Sequence, residues 1–177
     1  MFIIPGKLIS VLTFPGIIIH EWSHKKFCEW TGVRVEKVVY FNFRGNPAGY
    51  VIHDEPQKYK QTFWISVGPL LINSFSAIIF SIFALFCQSA TILWFILLWV
   101  SVSAGVNAFP SNHDMKNIWE ASKKEIKNGG NILHYLAFIL VVIIWVANLL
   151  RFFWFDFIYA VILVDLGTNI GNYLFGL

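Results

Sequence analysis

The chain has 177 residues, of which 57% are hydrophobic and only 13% are charged. A soluble domain carries about 25% charged residues, and one of about 150 residues leaves roughly a third of its surface in water. The composition therefore excludes a disordered chain, a nucleic-acid-binding domain built on a basic face, and a soluble globule. It indicates a single-domain membrane protein, and the net charge of +3 identifies no partner.

The distribution of charge predicts where the chain crosses the bilayer. No Asp, Glu, Lys or Arg lies between Gln61 and His113, or between Asn128 and Leu150. A spanning helix needs about 20 apolar residues, and a charge at its centre costs about 2.5–3.5 kcal/mol. The first stretch therefore predicts two spans, with a turn at 87–90, and the second stretch predicts one more.

The N-terminal third combines a helix with a hairpin. An uncharged run that Pro15 interrupts leads into HEWSHKKFCEW, which predicts a helix over 8–32 with Gly32 at its C-terminus. Alternating Val, Tyr and Phe residues then flank turn formers near Gly45, which predicts a small β-hairpin over 33–55.

The remaining elements are helical. We expect spans at about 62–86, 91–108, 131–150 and 155–174. Between the second and third of these lies an amphipathic helix, 113–127, with an apolar stripe typical of a membrane interface. The whole is an all-α polytopic membrane protein of about five membrane helices, with a small β element between the first and second.

The motif that carries chemistry is His20-Glu21-Trp22-Ser23-His24. On a helix, positions four apart differ by about 40° around the axis, so both imidazoles point to one side and can bind one Zn²⁺. Glu21 can then take a proton from water that the zinc activates. The alternative is a polar helix end with incidental histidines, which we disfavour because ionisable groups near a span are functional by default.

A catalytic zinc site needs a third protein ligand and an open position. The helix break at NAFPSNHD offers His113 and Asp114. Ser111 to Asp114 also fits a capping box, in which Asp114 would only cap a helix. The spacing alone does not decide whether Asp114 is a metal ligand or only a helix cap.

Three elements occur in an order that resembles the site-2 protease family of intramembrane zinc metalloproteases. The first is HEWSH at 20–24. The second is Gly68-Pro69-Leu70-Leu71-Ile72-Asn73, similar to the family's Gly-Pro-x-x-Asn element but with one extra residue. The third is 107–114, which is similar to Asn-x-x-Pro…Asp-Gly, with Asp one residue closer and Met115 in place of Gly.

The resemblance, which covers about residues 8–120, implies an intramembrane zinc endopeptidase. It implies that His20, His24 and Asp114 bind Zn²⁺, with His113 as the runner-up third ligand, and that Glu21 is the catalytic base. It also implies that the Asn107 amide binds the scissile carbonyl or its oxyanion. The partners would be a transmembrane protein substrate and the lipid bilayer, with no nucleic acid, and the 33–53 segment could pair with an unwound substrate by strand addition.

Most Lys and Arg residues lie in 31–60 and 111–130, which predicts that these segments face the cytosol. We therefore expect a multi-pass protein, of a prokaryotic cytoplasmic membrane, with its site towards the cytosol.

Two alternatives to a site-2 type of protease remain open. One is a non-proteolytic membrane protein that keeps zinc and binds or retains other membrane proteins. The other is a prenyl-protein type of endopeptidase, which would need a distant Glu ligand.

Overall fold

The computed structural model describes residues 6–88 and 91–176, which are mostly helical. These residues form seven α-helices and one two-stranded sheet. In chain order they are α1 (Gly6–Leu12), α2 (Phe14–Thr31), β1 (Val35–Val39), β2 (Tyr50–His53), α3 (Tyr59–Phe86), α4 (Thr91–Val106), α5 (Asn112–Lys127), α6 (Ile132–Leu150), a 3₁₀ turn (Arg151–Phe153) and α7 (Phe155–Phe175). Half of the turn predicted at 87–90, residues 89 and 90, lies outside the described residues.

The predicted first helix is divided into α1 and α2 at Thr13. Pro15 is in the first turn of α2, where its missing N–H removes no helical hydrogen bond. At the other end, Gly32 has a φ of 74° and its N–H donates to Glu29 O, which ends α2 as the sequence predicted. The break at Thr13 lets α2 begin beside α4.

The β element is an antiparallel pair in which Val38 lies opposite Val51 and Val39 opposite Tyr50. A register irregularity lies between Val35 and Lys37. The hairpin follows α2 directly and contacts it, so the sheet lies beside the end of the helix that carries the histidines.

Helix α3 is the centre of the bundle and contacts α2, α4, α5 and α7. Gly16 lets the backbones of α2 and α4 come into direct contact, since a Cβ at this position would overlap the Ser103 backbone. Instead, the Gly16 N–H donates to Ser103 Oγ at 2.7 Å, and that hydroxyl donates to Thr13 O at 2.7 Å. This pair of hydrogen bonds joins the start of α2 to the last turns of α4.

Within residues 6–88 and 91–176, three segments are long and apolar enough to cross a membrane: α3, α6 with its 3₁₀ turn, and α7. Helix α4 is apolar but has only 16 residues, or about 24 Å, which is shorter than the about 30 Å hydrocarbon core. These findings support a membrane protein with three candidate spans. About five spans remains a prediction.

Helix α5 runs back beside the first turns of α3, where Tyr59 Oη lies 3.2 Å from Ser122 Oγ. Met115 and Ile118, which belong to the predicted apolar stripe, are buried against α3 and α6 together with Val67 and Val141. Much of the stripe therefore contacts protein, and the position of α5 at a membrane interface remains a prediction.

Candidate metal centre

The two histidines of the HExxH motif converge as the helical spacing predicted. His20 and His24 lie one turn apart on α2, and both are buried, with 8% and 7% of their surface exposed. Their Nε2 atoms are 3.1 Å apart. Two ring nitrogens at this distance are suited to share one cation.

Asp114 reaches the histidines because the chain changes direction after α4. Helix α4 ends at Val106, and the residues that follow, with Pro110, lead into α5 at Asn112. Asp114, in the first turn of α5, places its Oδ2 3.4 Å from His24 Nε2. The structure thus brings together His20, His24 and Asp114, with ligand atoms all within 4.8 Å of one another.

This donor set fits a small divalent cation. Tetrahedral zinc with ligand bonds of about 2.0–2.1 Å places its ligand atoms about 3.3 Å apart. The two distances given above, 3.1 Å and 3.4 Å, are on either side of that value. Two imidazoles and one carboxylate are also a set that catalytic zinc sites use, with the fourth position open.

A second layer of hydrogen bonds orients these side chains. His20 Nδ1 lies 2.7 Å from the Asn107 carbonyl oxygen, so a proton on Nδ1 donates there and leaves the Nε2 lone pair facing the cluster. Ser111 donates to Asp114 Oδ2 from its backbone N–H at 3.0 Å and from its hydroxyl at 2.6 Å. Both outer partners are on the segment that joins α4 to α5.

The same contacts decide the charge of Asp114. Burial acts to raise the pKa of this carboxyl, but the His24 imidazole beside it and the Ser111 hydroxyl have the larger combined effect and hold the pKa below its usual range. The carboxyl is therefore ionised at neutral pH, which is the form that binds metals.

Glu21 lies next to the cluster at the wall of a cleft of about 1110 Å³. It is 8% exposed, and the cleft also contacts residues 46–51, which lead into and begin β2. Gly49 packs on Glu21, since a Cβ there would lie 2.7 Å from Glu21 Cγ. A carboxylate at this position can exchange a proton with a molecule bound in the cleft.

The side chain of Asn107 is directed at backbone. Its Nδ2 donates to Ser103 O at 2.9 Å and to Thr13 O at 3.2 Å, although the residue also lines the cleft. The contact with the cluster comes from its main-chain oxygen. Binding of a substrate carbonyl by the Asn107 amide remains a prediction.

His113 and the other two histidines of the chain, His53 and His134, are not part of the three-residue cluster. His113 is exposed at the mouth of the cleft, while Asp114, the other candidate, is in the cluster. His53 and His134 lie close to the Asp54 carbonyl and to Glu125, respectively. Arg151 Nε lies 3.5 Å from Asp156 Oδ2, and neither residue is part of the cluster.

Sequence reasoning did not identify the supporting roles of Ser103 and Gly49. Each contacts a residue that is far away in the chain. Ser103 donates a hydrogen bond to Thr13 O at the start of α2, and Gly49 packs against Glu21. A Ser and a Gly are too common in loops and spans to be singled out by type. The turn-forming run around Gly45 was the only local signal near Gly49.

Comparison with known proteins adds no relative. No protein-family model matches the chain, and no curated protein or solved structure matches it either.

Proposed function

We propose that this protein is an intramembrane zinc metalloendopeptidase that cleaves transmembrane or membrane-proximal segments of other proteins. The observation that carries the proposal is the convergence of His20, His24 and Asp114, with Glu21 beside them in a cleft. Two imidazoles, a carboxylate and an adjacent glutamate are the catalytic groups of zinc peptidases, which hydrolyse amide bonds with water.

The position of the site along α3 supports a substrate in or near the membrane. The cleft contacts α3 at Tyr59, Thr62, Ile65 and Ser66, and Ser66 lies seven residues after the start of that helix, or about 10 Å along it. Helix α3 is itself a candidate span. A site at that depth suits a peptide bond within or near the bilayer.

The residues divide the chemistry between them. His20, His24 and Asp114 would hold Zn²⁺, which would supply a Lewis acid that lowers the pKa of bound water to about 7. Glu21 accepts the proton of the attacking water and returns it to the leaving amide nitrogen. His20, Glu21 and His24 are themselves buried, so little of their surface contacts solvent.

Substrate presentation is the second part of the proposal. The backbone of a membrane-spanning helix is fully hydrogen-bonded, so the segment to be cut must unwind first. Strand β2 borders the same cleft as Glu21. An unwound stretch that pairs with its free edge would regain main-chain hydrogen bonds beside the catalytic groups.

The test compares two Glu→Gln variants on one helix. Glu21→Gln keeps the shape of the side chain and both histidines but cannot accept a proton. We expect it to retain one zinc ion per chain and to cleave at least about 100-fold more slowly. Glu29→Gln is the control, because Glu29 is an exposed residue of α2 paired with Lys25 and Lys26.

Detergent-solubilised protein would be incubated with a set of single-span peptides containing helix-breaking residues, and products would be read by mass spectrometry. Cleavage by Glu21→Gln at the wild-type rate would overturn the mechanism. A zinc-loaded wild type that cuts no peptide of the set would favour the alternative, a membrane protein that keeps zinc and binds or retains others.

A further inference from the structure

Asn73 makes an unusual set of contacts in the middle of the bundle. It is fully buried on α3, and its Nδ2 lies 3.1 Å from Gly16 O of α2, 3.2 Å from Ala104 O of α4 and 3.0 Å from Asn107 O. Its Oδ1 has no hydrogen-bond partner among the described residues. The amide is therefore oriented by its donor side.

Two of these carbonyls need a donor because α4 ends there. The last four C=O groups of a helix have no intrahelical partner. The Ala108 N–H donates to Gly105 O, which leaves Ala104 O without its helical donor, and Asn107 O lies beyond the end of α4. At membrane depth such groups must be satisfied by protein.

The Asn107 carbonyl connects this amide to the metal centre. It lies 3.0 Å from Asn73 Nδ2 and 2.7 Å from His20 Nδ1. A carbonyl oxygen has two lone pairs and can accept both hydrogen bonds. The oxygen that fixes the tautomer and direction of His20 is thus itself held by Asn73.

We infer that Asn73 is a positioning residue of the metal centre: it fixes the Asn107 carbonyl against His20 and thereby sets the affinity of the site for zinc. The inference rests on the proposed function only in that the cluster binds zinc. It requires no proteolytic activity.

The experiment measures zinc dissociation constants by chelator competition, together with thermal unfolding of the metal-free protein. Asn73→Leu keeps the branching of the side chain at Cγ, although leucine is larger, and removes the donor. Asn73→Ser retains one donor on a shorter side chain. Ser101→Ala is the matched control, because Ser101 Oγ also donates from α4 to a buried α3 carbonyl, Ala77 O at 2.6 Å, and is not part of the cluster.

We expect Asn73→Leu to weaken zinc binding about 10- to 100-fold, the usual effect of losing an outer-layer hydrogen bond at a metal site. Asn73→Ser should weaken it less. Ser101→Ala should lower the unfolding temperature but leave zinc affinity unchanged. If Asn73→Leu does not fold, a loss of zinc affinity in Asn73→Ser that exceeds the loss in Ser101→Ala supports the inference.

Three results would overturn it: wild-type zinc affinity in Asn73→Leu, equal losses in the Asn73 variants and Ser101→Ala, or an unfolded Asn73→Leu with Asn73→Ser no weaker than Ser101→Ala. Zinc binding and peptide cleavage by the wild type test the proposed function separately. Zinc-binding wild type without cleavage contradicts the protease and leaves the role of Asn73 intact, whereas wild type without zinc binding contradicts both.

Discussion

Asp114 shows that two interpretations of one residue can both hold. Its backbone N–H donates to Ser111 Oγ at 3.2 Å, and its carboxylate accepts from Ser111 in return, which completes the capping box. The same carboxylate oxygen lies 3.4 Å from His24 Nε2. The cap therefore orients Asp114 for the cluster.

The choice between Asp114 and His113 as third ligand can be decided by zinc content. We expect Asp114→Ala to lose more affinity than the about 100-fold that an outer-layer loss can cause, since a ligand itself is removed. His113→Ala should retain wild-type zinc, because His113 is exposed at the mouth of the cleft. Metal analysis of both purified variants is the measurement. The reverse pattern would make His113 the ligand.

The contact between α2 and α4 depends on the absence of a side chain at Gly16. We expect Gly16→Ala to force the helices apart, because its Cβ would overlap the Ser103 backbone, at a cost of about 1–3 kcal/mol for overpacking. Since the Asn107 carbonyl moves with α4, zinc affinity should fall as well. Thermal unfolding and chelator competition measure the two effects.

Gly6→Ala is the control for that substitution. Gly6 begins α1, and a Cβ there meets nothing within 4 Å. Alanine is the better helix former, so this variant should unfold no earlier than wild type and bind zinc equally well. A Gly16→Ala variant indistinguishable from Gly6→Ala would show that the close approach is dispensable.

Strand addition at β2 can be tested with two neighbouring prolines. Successive N–H groups of an antiparallel strand point to opposite edges, so of Val51→Pro and Ile52→Pro one removes a donor towards β1 and the other removes a donor from the free edge. We expect the free-edge variant to lose cleavage while zinc and folding stay normal. The Ala variants of both positions should change little. If each Pro variant that loses cleavage also loses zinc, the hairpin is structural only.

Local signals predicted most elements, whereas the packing of remote residues decided the rest. Gly32 and the turn formers near Gly45 act on their own neighbours, so the end of α2 and the hairpin could be predicted. The length of α4 could not, because apolar residues continue past Val106 and the helix ends where the Asn73 amide satisfies the freed carbonyls. The HExxH spacing predicted that two histidines lie on one side of α2, and only the fold of the remote segment brings Asp114 beside them.

The start of α3, which follows the hairpin, and helix α5 lie at one end of the bundle. The Tyr59–Ser122 contact places the start of α3 beside α5, and Cys87 follows the far end of α3. The distribution of Lys and Arg predicts that this end faces the cytosol. We therefore expect Lys58→Cys and Lys124→Cys, each in a Cys87→Ser background, to react with an impermeant maleimide from the cytosolic side only. Native Cys87 should react from the opposite side.

The buried Cys28 should stay unlabelled in all three proteins. Labelling of positions 58 and 124 from different sides would contradict the arrangement of helices described above. Labelling of both from the outside would keep that arrangement and reverse the proposed orientation.

The residues of the metal cluster are far apart in the sequence, and this has a consequence for biosynthesis. His20 and the carbonyl that orients it are 87 residues apart, and Asp114 follows that carbonyl. A nascent chain therefore contains the HExxH helix long before the ribosome has produced Asp114 and the Asn107 carbonyl that Asn73 contacts. Under the proposed function, the chain would be inert towards its membrane neighbours until α3, α4 and the start of α5 have been inserted. The order of synthesis would then give the protection that many proteases obtain from a removable pro-segment.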